Sequence, residues 1–283
     1  MKKSLIDIHD LEEKVPFFRG KFGNRLGNAL LKMVALDKAN HTYANSIEYR
    51  GSEFTEHLLS DLGVSYRVGN AERLDNLPEG AFITISNHPY GGLDGIMLID
   101  LIARRRPDFK VLVNEILSLI RSMDDNFIST QPHTGNSGTD ISKGVRGIRE
   151  SIKHIANGHP LGLFPAGAVS NFEWRNMQLL DREWQESVIR LIRMAKVPVL
   201  PIRFFDGNSA LFYALGLIDW RIRTLKMPSE IFNKQHQYPR IGIGKLISPD
   251  EIASFTDAKS LSNFLRKSVY DMPLPKNFSS MPR

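Results

Sequence analysis

The chain has 283 residues, of which 42% are hydrophobic and 24% charged, so bulk disorder and a collagen-like design are excluded. It contains no cysteine, which excludes disulfides, thiolate metal sites, iron–sulfur clusters and a cysteine nucleophile. The net charge of +6 favours an anionic partner, and by itself leaves nucleic acid, acidic lipid and acidic protein open.

The first 79 residues are predicted to form a helical N-terminal extension. Between Lys21 and Leu36, apolar residues that include Leu26 recur at helical spacing, with lysine and arginine beside the stripe. Helices on membrane surfaces have this character, although packing against a protein core explains the same stripe. A second helix is predicted over residues 52–62, where Gly63 provides a stop.

From residue 80 onward, short apolar runs alternate with helical patterns. Strands are predicted at 81–86, 109–113, 161–164, 197–205 and 240–247, and helices at 94–103, 140–155, 181–192 and 256–270. Asp140 and Asp181 are expected at helix starts, and Pro198 and Pro201 indicate an edge strand or irregular backbone. The alternation predicts an α/β domain over residues 80–271, with a largely parallel central sheet flanked by helices, and a loose tail over 272–283.

The loop after the first predicted strand carries a histidine and an aspartate. His88 leaves the strand end, and a Gly-Gly bend allows the carboxylate of Asp94 to reach the imidazole. A histidine held by an aspartate is suited to take a proton from a hydroxyl or an amine. The alternative is that Asp94 caps a helix and His88 is a turn residue. Two local ligands are too few for a metal site, so none is expected.

A second unusual loop runs from Phe164 to Ser170 as Phe-Pro-Ala-Gly-Ala-Val-Ser. Its small residues let backbone N–H groups approach a substrate, where they can bind an oxyanion or an acyl carbonyl. An ordinary tight turn explains the same composition.

Together the two loops resemble the glycerophospholipid acyltransferase family, which carries a His-(four residues)-Asp motif and a Phe-Pro-Glu-Gly-Thr-Arg-Ser motif. The segment from Val197 to Ile202 is similar to a further family motif, and the likeness covers residues 80–205. The first motif looks most like a branch that contains hemolysin-named proteins and ornithine- and glycine-lipid O-acyltransferases.

The resemblance implies a glycerol-phosphate acyltransferase-like fold. It also implies acyl transfer from an acyl carrier protein or coenzyme A thioester to a lipid hydroxyl, with no bound cofactor. His88 would be the general base and Asp94 would orient it. The residues that the resemblance places at the substrate are Asn87, Gly92, Phe164, Pro165, Gly167 and Ser170.

The sequence departs from the family pattern at three places. Five residues separate His88 from Asp94 instead of four, Ala166 replaces the usual glutamate, and residues 126–131 lack the usual arginine. In the family this glutamate and arginine are associated with the phosphate of glycerol 3-phosphate. We therefore expect a lyso-ornithine or lyso-glycine lipid as acceptor.

One alternative acceptor and two alternative functions stay open. Lysophosphatidic acid is the second candidate acceptor if Arg146, Arg149 or Arg203 replaces the missing cation. A hydrolase with the same His–Asp pair is possible, and so is a non-catalytic, hemolysin-like lipid-binding protein.

A second candidate membrane contact is the apolar segment 210–221, which ends in Trp220 and Arg221 and is followed by Arg223. Core packing is again the alternative. No apolar stretch approaches the roughly 20 residues that cross a bilayer, and no signal-peptide core is apparent. We expect a peripheral protein on the cytoplasmic face of an anionic membrane. Nucleic acid is not expected, because aromatic residues are not interleaved with basic runs.

Overall fold

A computed structural model describes residues 36–114, 121–130 and 138–280 of the chain. The predicted membrane contact at Leu26 lies outside the described residues. The helices are α1 (Leu36–Ser46), α2 (Gly51–Asp61), α3 (Gly92–Ala103), α4 (Gly138–Ala156), α5 (Glu186–Ala195), α6 (Ala210–Ile218), α7 (Trp220–Phe232), α8 (Pro249–Ala253) and α9 (Ala258–Tyr270). The strands are β1 (Arg67–Gly69), β2 (Ile83–Ser86), β3 (Lys110–Asn114), β4 (Phe127–Thr130), β5 (Leu161–Leu163), β6 (Asn171–Glu173), β7 (Gln178–Leu180), β8 (Val199–Phe204), β9 (Arg240–Ile243) and β10 (Phe278–Ser280). Short 3-10 helices cover Ala71–Asn76 and Arg121–Asn126.

Eight strands form one sheet in the order β10-β1-β9-β8-β2-β5-β3-β4, and β6 and β7 form a separate hairpin. Within the described residues, neighbouring strands of the sheet run parallel except at the β8–β9 and β1–β10 pairs. The predicted α/β class with a largely parallel, helix-flanked sheet is therefore confirmed. In such a sheet, binding sites form beyond the carboxyl ends of the strands.

Helices cover both faces of the sheet. Helices α1, α2 and α3 contribute to one apolar cluster, which also contains Leu200 and Ile202 of β8. Helices α5 and α9 contribute to a second cluster, which contains Ile83 and Ile85 of β2. Because β2 is covered on both sides, all four of its residues are buried, including the polar Thr84 and Ser86. This burial fixes the end of β2, from which the histidine loop emerges.

The proline-containing strand β8 is not at the edge of the sheet, since it lies between β9 and β2. Ile202 pairs with Ile243, but Val199 faces Ile247. The segment opposite β8 therefore contains one residue more than β8 does beside Pro201. This bulge accommodates a residue that cannot donate a hydrogen bond to the ladder. The expected irregular backbone is present, and the alternative of an edge strand is wrong.

Other elements also differ from the prediction. Helix α4 begins at Gly138, before Asp140, and helix α5 begins at Glu186, after Asp181. The predicted looseness of residues 272–283 is wrong for 278–280, which pair with β1. Segments 1–79 and 272–283 thus each contribute a strand to the sheet, and the division of the chain at residues 79 and 271 stays a prediction. No helix in the described ranges is long and apolar enough to span a bilayer.

Candidate active site

The two unusual loops meet at the carboxyl ends of the neighbouring strands β2 and β5. The centroids of the His88 and Phe164 rings lie 4.3 Å apart. The backbone N–H of Ser170 donates to the carbonyl of His88 at 2.9 Å, which joins the end of the second loop to the first. The parallel sheet therefore brings together two segments that are about 80 residues apart in the sequence.

Asp94 lies in the first turn of α3, directly behind His88. Its Oδ2 accepts the backbone N–H groups of Tyr90 and Gly91 at 2.9 and 3.0 Å. The same oxygen is 2.9 Å from His88 Nδ1, although the N–H direction departs from the line that joins the two atoms. Hydrogen bonds at catalytic sites are often poorly aligned before substrate binds. Asp94 thus holds the helix start and also faces the histidine, so its geometry is compatible with both sequence interpretations.

Gly91 forms a sharp turn between His88 and Asp94. This glycine has φ = +81°, a conformation that residues with a side chain rarely adopt. A Cβ atom there would lie 2.9 Å from Met227 Sδ and 3.2 Å from Val169 Cγ2. The turn therefore needs glycine for its dihedral angle and for the space around it, and it brings the carboxylate back to the imidazole.

The carboxylate of Asp94 is completely buried. Burial raises its pKa to about 6, and hydrogen bonds to His88 and the two backbone N–H groups oppose this rise. Its Oδ1 has no hydrogen-bond partner within the described part of the chain. The start of helix α3 favours the ionised form through the helix dipole. His88 keeps a side chain that is 19% exposed, so a substrate can reach it.

Asp181 joins the two loops, a role that we did not predict from the sequence. Its Oδ1 accepts the Ser170 hydroxyl at 2.5 Å and the His88 backbone N–H at 3.2 Å. Its Oδ2 accepts the indole N–H of Trp184 at 3.3 Å. Asp181 is therefore a buried acceptor that fixes the backbone of the histidine loop.

The hairpin explains how Asp181 reaches this position. In the β6–β7 register Asn171 faces Leu180, so the next residues outward, Ser170 and Asp181, lie opposite each other. Recognising a hairpin over 171–180 would have shown this pairing. No local pattern, however, points from Asp181 to His88, which lies 93 residues earlier.

Several residues expected at the substrate instead support the loops. The Asn87 side chain bonds the backbone of Phe204, with its amide donating to the carbonyl and its oxygen accepting the N–H, both at 2.8 Å. Ser170 is buried against Asp181, and the Gly167 N–H donates to the Phe164 carbonyl at 2.9 Å. For Asn87, Ser170 and the N–H of Gly167, the expected direct contact with substrate is therefore corrected to a supporting role.

The other predicted substrate residues lie along the two loops. Phe164 is half-buried beside His88, and Pro165 is buried. Gly92 is the first residue of α3, and a Cβ atom built on it would meet no atom within 4 Å. Phe164 and Gly92 thus keep positions from which they can contact a substrate.

Two arginines with predicted ligand roles are used by the protein itself. Arg223 is only 6% exposed and donates to the Ser170 carbonyl at 3.1 Å and to Asn171 Oδ1 at 2.6 Å, so its predicted membrane contact is wrong. Arg203 donates to the carbonyls of Tyr270 and Met272, so it is not available as a replacement phosphate ligand.

Trp220 and Arg221 are the other two residues of segment 210–221 that we predict to contact a membrane. Trp220 is exposed at the start of α7, and the side chain of Arg221 lies outside the described part of the structure. Within the described ranges, no group of three or more histidine, aspartate or glutamate side chains is arranged to hold a metal ion.

Comparison with known proteins gives four similarities. A family model described as Acyltransferase matches residues 11–277. The lyso-glycine lipid O-acyltransferase of Bacteroides thetaiotaomicron is 30% identical over 227 residues, which are 77% of this chain and 79% of that protein. A protein of the same name from Phocaeicola vulgatus is 27% identical over 278 residues, 95% of each chain. The crystal structure of the 1-acyl-sn-glycerophosphate (LPA) acyltransferase PlsC from Thermotoga maritima matches with a TM-score of 0.50, 16% identity and coverage of 93% and 91%, which shows a shared fold alone.

Proposed function

The chain belongs to the acyltransferase family, and on this premise we propose that it transfers a fatty acyl group from a thioester to the hydroxyl of a lyso-aminoacyl lipid, first of all a lyso-glycine lipid. The observation that carries the proposal is the fully buried Asp94 carboxylate 2.9 Å from Nδ1 of a partly exposed His88. Asp94 holds the hydrogen of the neutral imidazole on Nδ1. Nε2 is then the nitrogen that accepts a proton from substrate.

The proposed reaction needs no covalent enzyme intermediate. His88 Nε2 takes the proton of the acceptor hydroxyl while the hydroxyl oxygen bonds to the thioester carbonyl carbon. The tetrahedral intermediate then breaks its C–S bond, and the leaving thiolate takes the proton back from the imidazolium. Asp94 stabilises the imidazolium between these steps, and the low-dielectric setting strengthens this interaction.

The proposed acceptor class is supported by the residues near the site and by the names of the two related proteins. Ala166 occupies the position of the family glutamate, and Arg203 is already bound to backbone carbonyls. Residues 126–131 also lack the family arginine, so Arg146 and Arg149, both exposed on α4, are the remaining candidate cations for a phosphate head group. The two relatives named above take a lyso-glycine lipid as acceptor according to their names. These facts favour a lyso-aminoacyl lipid over lysophosphatidic acid.

The test is an acyl-transfer assay on the purified chain with acyl carrier protein and coenzyme A thioesters as alternative donors. Lyso-glycine lipid, lyso-ornithine lipid and lysophosphatidic acid are the acceptors, and mass spectrometry quantifies diacyl product and free fatty acid separately. We expect diacyl aminoacyl lipid as the main product. Preference for lysophosphatidic acid refutes the acceptor assignment, and free fatty acid without diacyl lipid indicates a hydrolase.

A second histidine–aspartate pair provides a matched control. His159 Nδ1 is 2.8 Å from Asp108 Oδ2. Each of these residues lies just before a strand, so the pair is at the amino-terminal ends of the strands, whereas His88 is at the carboxyl ends. We expect His88→Ala to lower the transfer rate by about 10² to 10⁴-fold and His159→Ala to leave it unchanged. Equal activity of the two variants would remove His88 from the mechanism.

A further inference from the structure

Large apolar side chains are exposed on three elements beside the active site. They are Trp174 and Met177 on the β6–β7 hairpin, Leu217 and Ile218 at the end of α6, and Trp220 and Ile222 at the start of α7. We call these residues the outer apolar surface. Ile218 is 76% exposed, Trp174 61% and Trp220 58%. Exposed apolar groups gathered on adjoining elements indicate a binding surface.

The three elements are held together as one unit. Arg223 of α7 donates to Asn171 of β6, and Phe172 packs against the cluster that contains Phe212 of α6. The Phe172 and Trp174 rings meet edge to face, with centroids 4.9 Å apart. The hairpin and the two helices therefore present their exposed side chains from a common framework.

The same unit supports the histidine loop. The Tyr213 hydroxyl donates to the Pro89 carbonyl at 2.8 Å, and the Asn208 amide donates to the Tyr90 carbonyl at 3.2 Å. The outer apolar surface is thus attached to the loop that carries His88. The outer apolar surface and His88 therefore lie on directly connected parts of the structure.

Arg175 and Arg182 are exposed near this surface. Glu173 and Glu183 are exposed beside them and offset their charge, so attraction to an anionic body is weak. Arg223 is buried, and Lys226 Nζ lies 2.9 Å from Glu230 Oε1. Arg223 and Lys226, two of the basic residues that follow Trp220 in the sequence, therefore interact with other parts of the protein. Two of the three tryptophans of the chain are on this surface, and tryptophan is enriched where proteins enter the interface of a bilayer.

We propose that the outer apolar surface docks on a lipid bilayer by inserting its apolar side chains, and that attraction to anionic head groups is a minor part of the binding. The proposal rests on the proposed function, because an amphiphilic acceptor is what brings a bilayer to this site. Docking there lets the acceptor hydroxyl reach His88 while its chains stay in the membrane.

Vesicle binding tests the mode of docking. The purified chain is mixed with phosphatidylcholine vesicles and with vesicles that also contain phosphatidylglycerol, at low and high salt, and the bound fraction is measured by flotation. We expect binding to both kinds of vesicle and little effect of salt. Binding that requires phosphatidylglycerol and is lost in high salt would overturn the proposal.

Two charge substitutions locate the surface. Ile218→Glu places a carboxylate in the outer apolar surface. Met194→Glu does the same at a methionine that is 65% exposed on α5, a helix that packs into the second apolar cluster and carries none of the surface residues. We expect Ile218→Glu to lower the vesicle partition coefficient by about tenfold or more and Met194→Glu to leave it unchanged. Equal partition of both variants and the wild type would overturn the proposal.

Tryptophan fluorescence gives an independent readout. Trp184 is buried under the Asp181 carboxylate and serves as an internal reference. In a Trp174→Phe, Trp184→Phe variant the emission of Trp220 reports on the surface alone, and in a Trp174→Phe, Trp220→Phe variant that of Trp184 reports on the interior. We expect brominated lipids to quench Trp220 and to leave Trp184 unquenched. Equal quenching of the two would contradict insertion of this surface.

The activity of Ile218→Glu separates this proposal from the proposed function. We expect it to acylate a monomeric short-chain lyso-lipid at the wild-type rate and a vesicle-embedded one at least about tenfold more slowly. If the wild type binds vesicles as expected and acylates neither acceptor, docking is supported and the proposed function fails. If the wild type is a dimer that Ile218→Glu dissociates without loss of vesicle binding, the surface joins two copies of the chain and docking is refuted.

Discussion

The pH dependence of stability at Asp94 offers a direct test of the site's electrostatics. The carboxyl ionises near pH 3.8 in the unfolded chain and at about 6 in the folded protein, because burial disfavours its charge. Between these pH values the folded state holds a proton that the unfolded state has lost. Stability therefore falls as pH rises through this window and is constant with respect to this group above it.

Asp94→Asn removes this dependence. The asparagine oxygen can still accept the N–H groups of Tyr90 and Gly91, so the start of α3 is kept. A pKa difference of about two units, at about 1.4 kcal/mol per unit, corresponds to about 3 kcal/mol. The free energy of unfolding of the variant, relative to the wild type, should thus increase by about 3 kcal/mol between pH about 4 and about 6. The same variant should lose about 10² to 10⁴-fold in transfer rate, since nothing stabilises the imidazolium.

Urea unfolding of both proteins across this pH range is the assay. Asp108→Asn is the control, because its behaviour should be opposite. Burial would raise the pKa of Asp108, but hydrogen bonds from Arg106 and His159 outweigh it and hold the pKa below its usual value. Its contribution to stability is present above the unfolded pKa and is lost as pH falls. A difference between Asp94→Asn and the wild type that is independent of pH would refute the reasoning on the buried carboxylate.

Three further predictions concern the same loops. The transfer rate of the wild type should fall as pH decreases through about 6, where Asp94 takes up a proton, and a rate constant through this range would contradict the role of the carboxylate. Asp181→Ala should lower kcat about ten- to a hundredfold with little change in the donor KM, because Asp181 accepts the His88 backbone N–H and the Ser170 hydroxyl. Asp181→Asn should recover part of the lost kcat. Equal kcat in the wild type and both variants would show that Asp181 does not position His88. Gly91→Ala should destabilise the fold by about 1–2 kcal/mol in thermal unfolding, because Gly91 has a positive φ and a Cβ atom there would contact Met227. Gly92→Ala should be near neutral, because there is space for a Cβ atom at Gly92. Equal effects of the two substitutions would refute this account of the turn.

Local patterns predicted the secondary structure well where the period of apolar residues was clear. The strand at 81–86 and the helix at 94–103 are present as β2 and α3, with ends shifted by up to two residues. The family and the acyltransferase class, inferred from the two loops, are confirmed by the match to residues 11–277 and by the named relatives. The hairpin at 171–180 was missed because each strand has only three residues, too few to show an alternating pattern.

The sequence by itself determined the α/β class and singled out the two loops to which we assign the proposed chemistry, because strand and helix periods and motif spacings are local properties of the chain. Only the tertiary structure decided which polar side chains face a substrate. The Asn87 side chain is hydrogen-bonded to the backbone of Phe204, 117 residues away, and Asp181 accepts the backbone N–H of His88. These buried, long-range hydrogen bonds make Asn87 a support of the loop rather than a substrate contact, and Asp181 a link between the loops rather than a helix start. The burial of Arg223 likewise turned a predicted head-group ligand into a support of the active-site loop, because a charged side chain on a helix shows its direction only once its neighbours are in place.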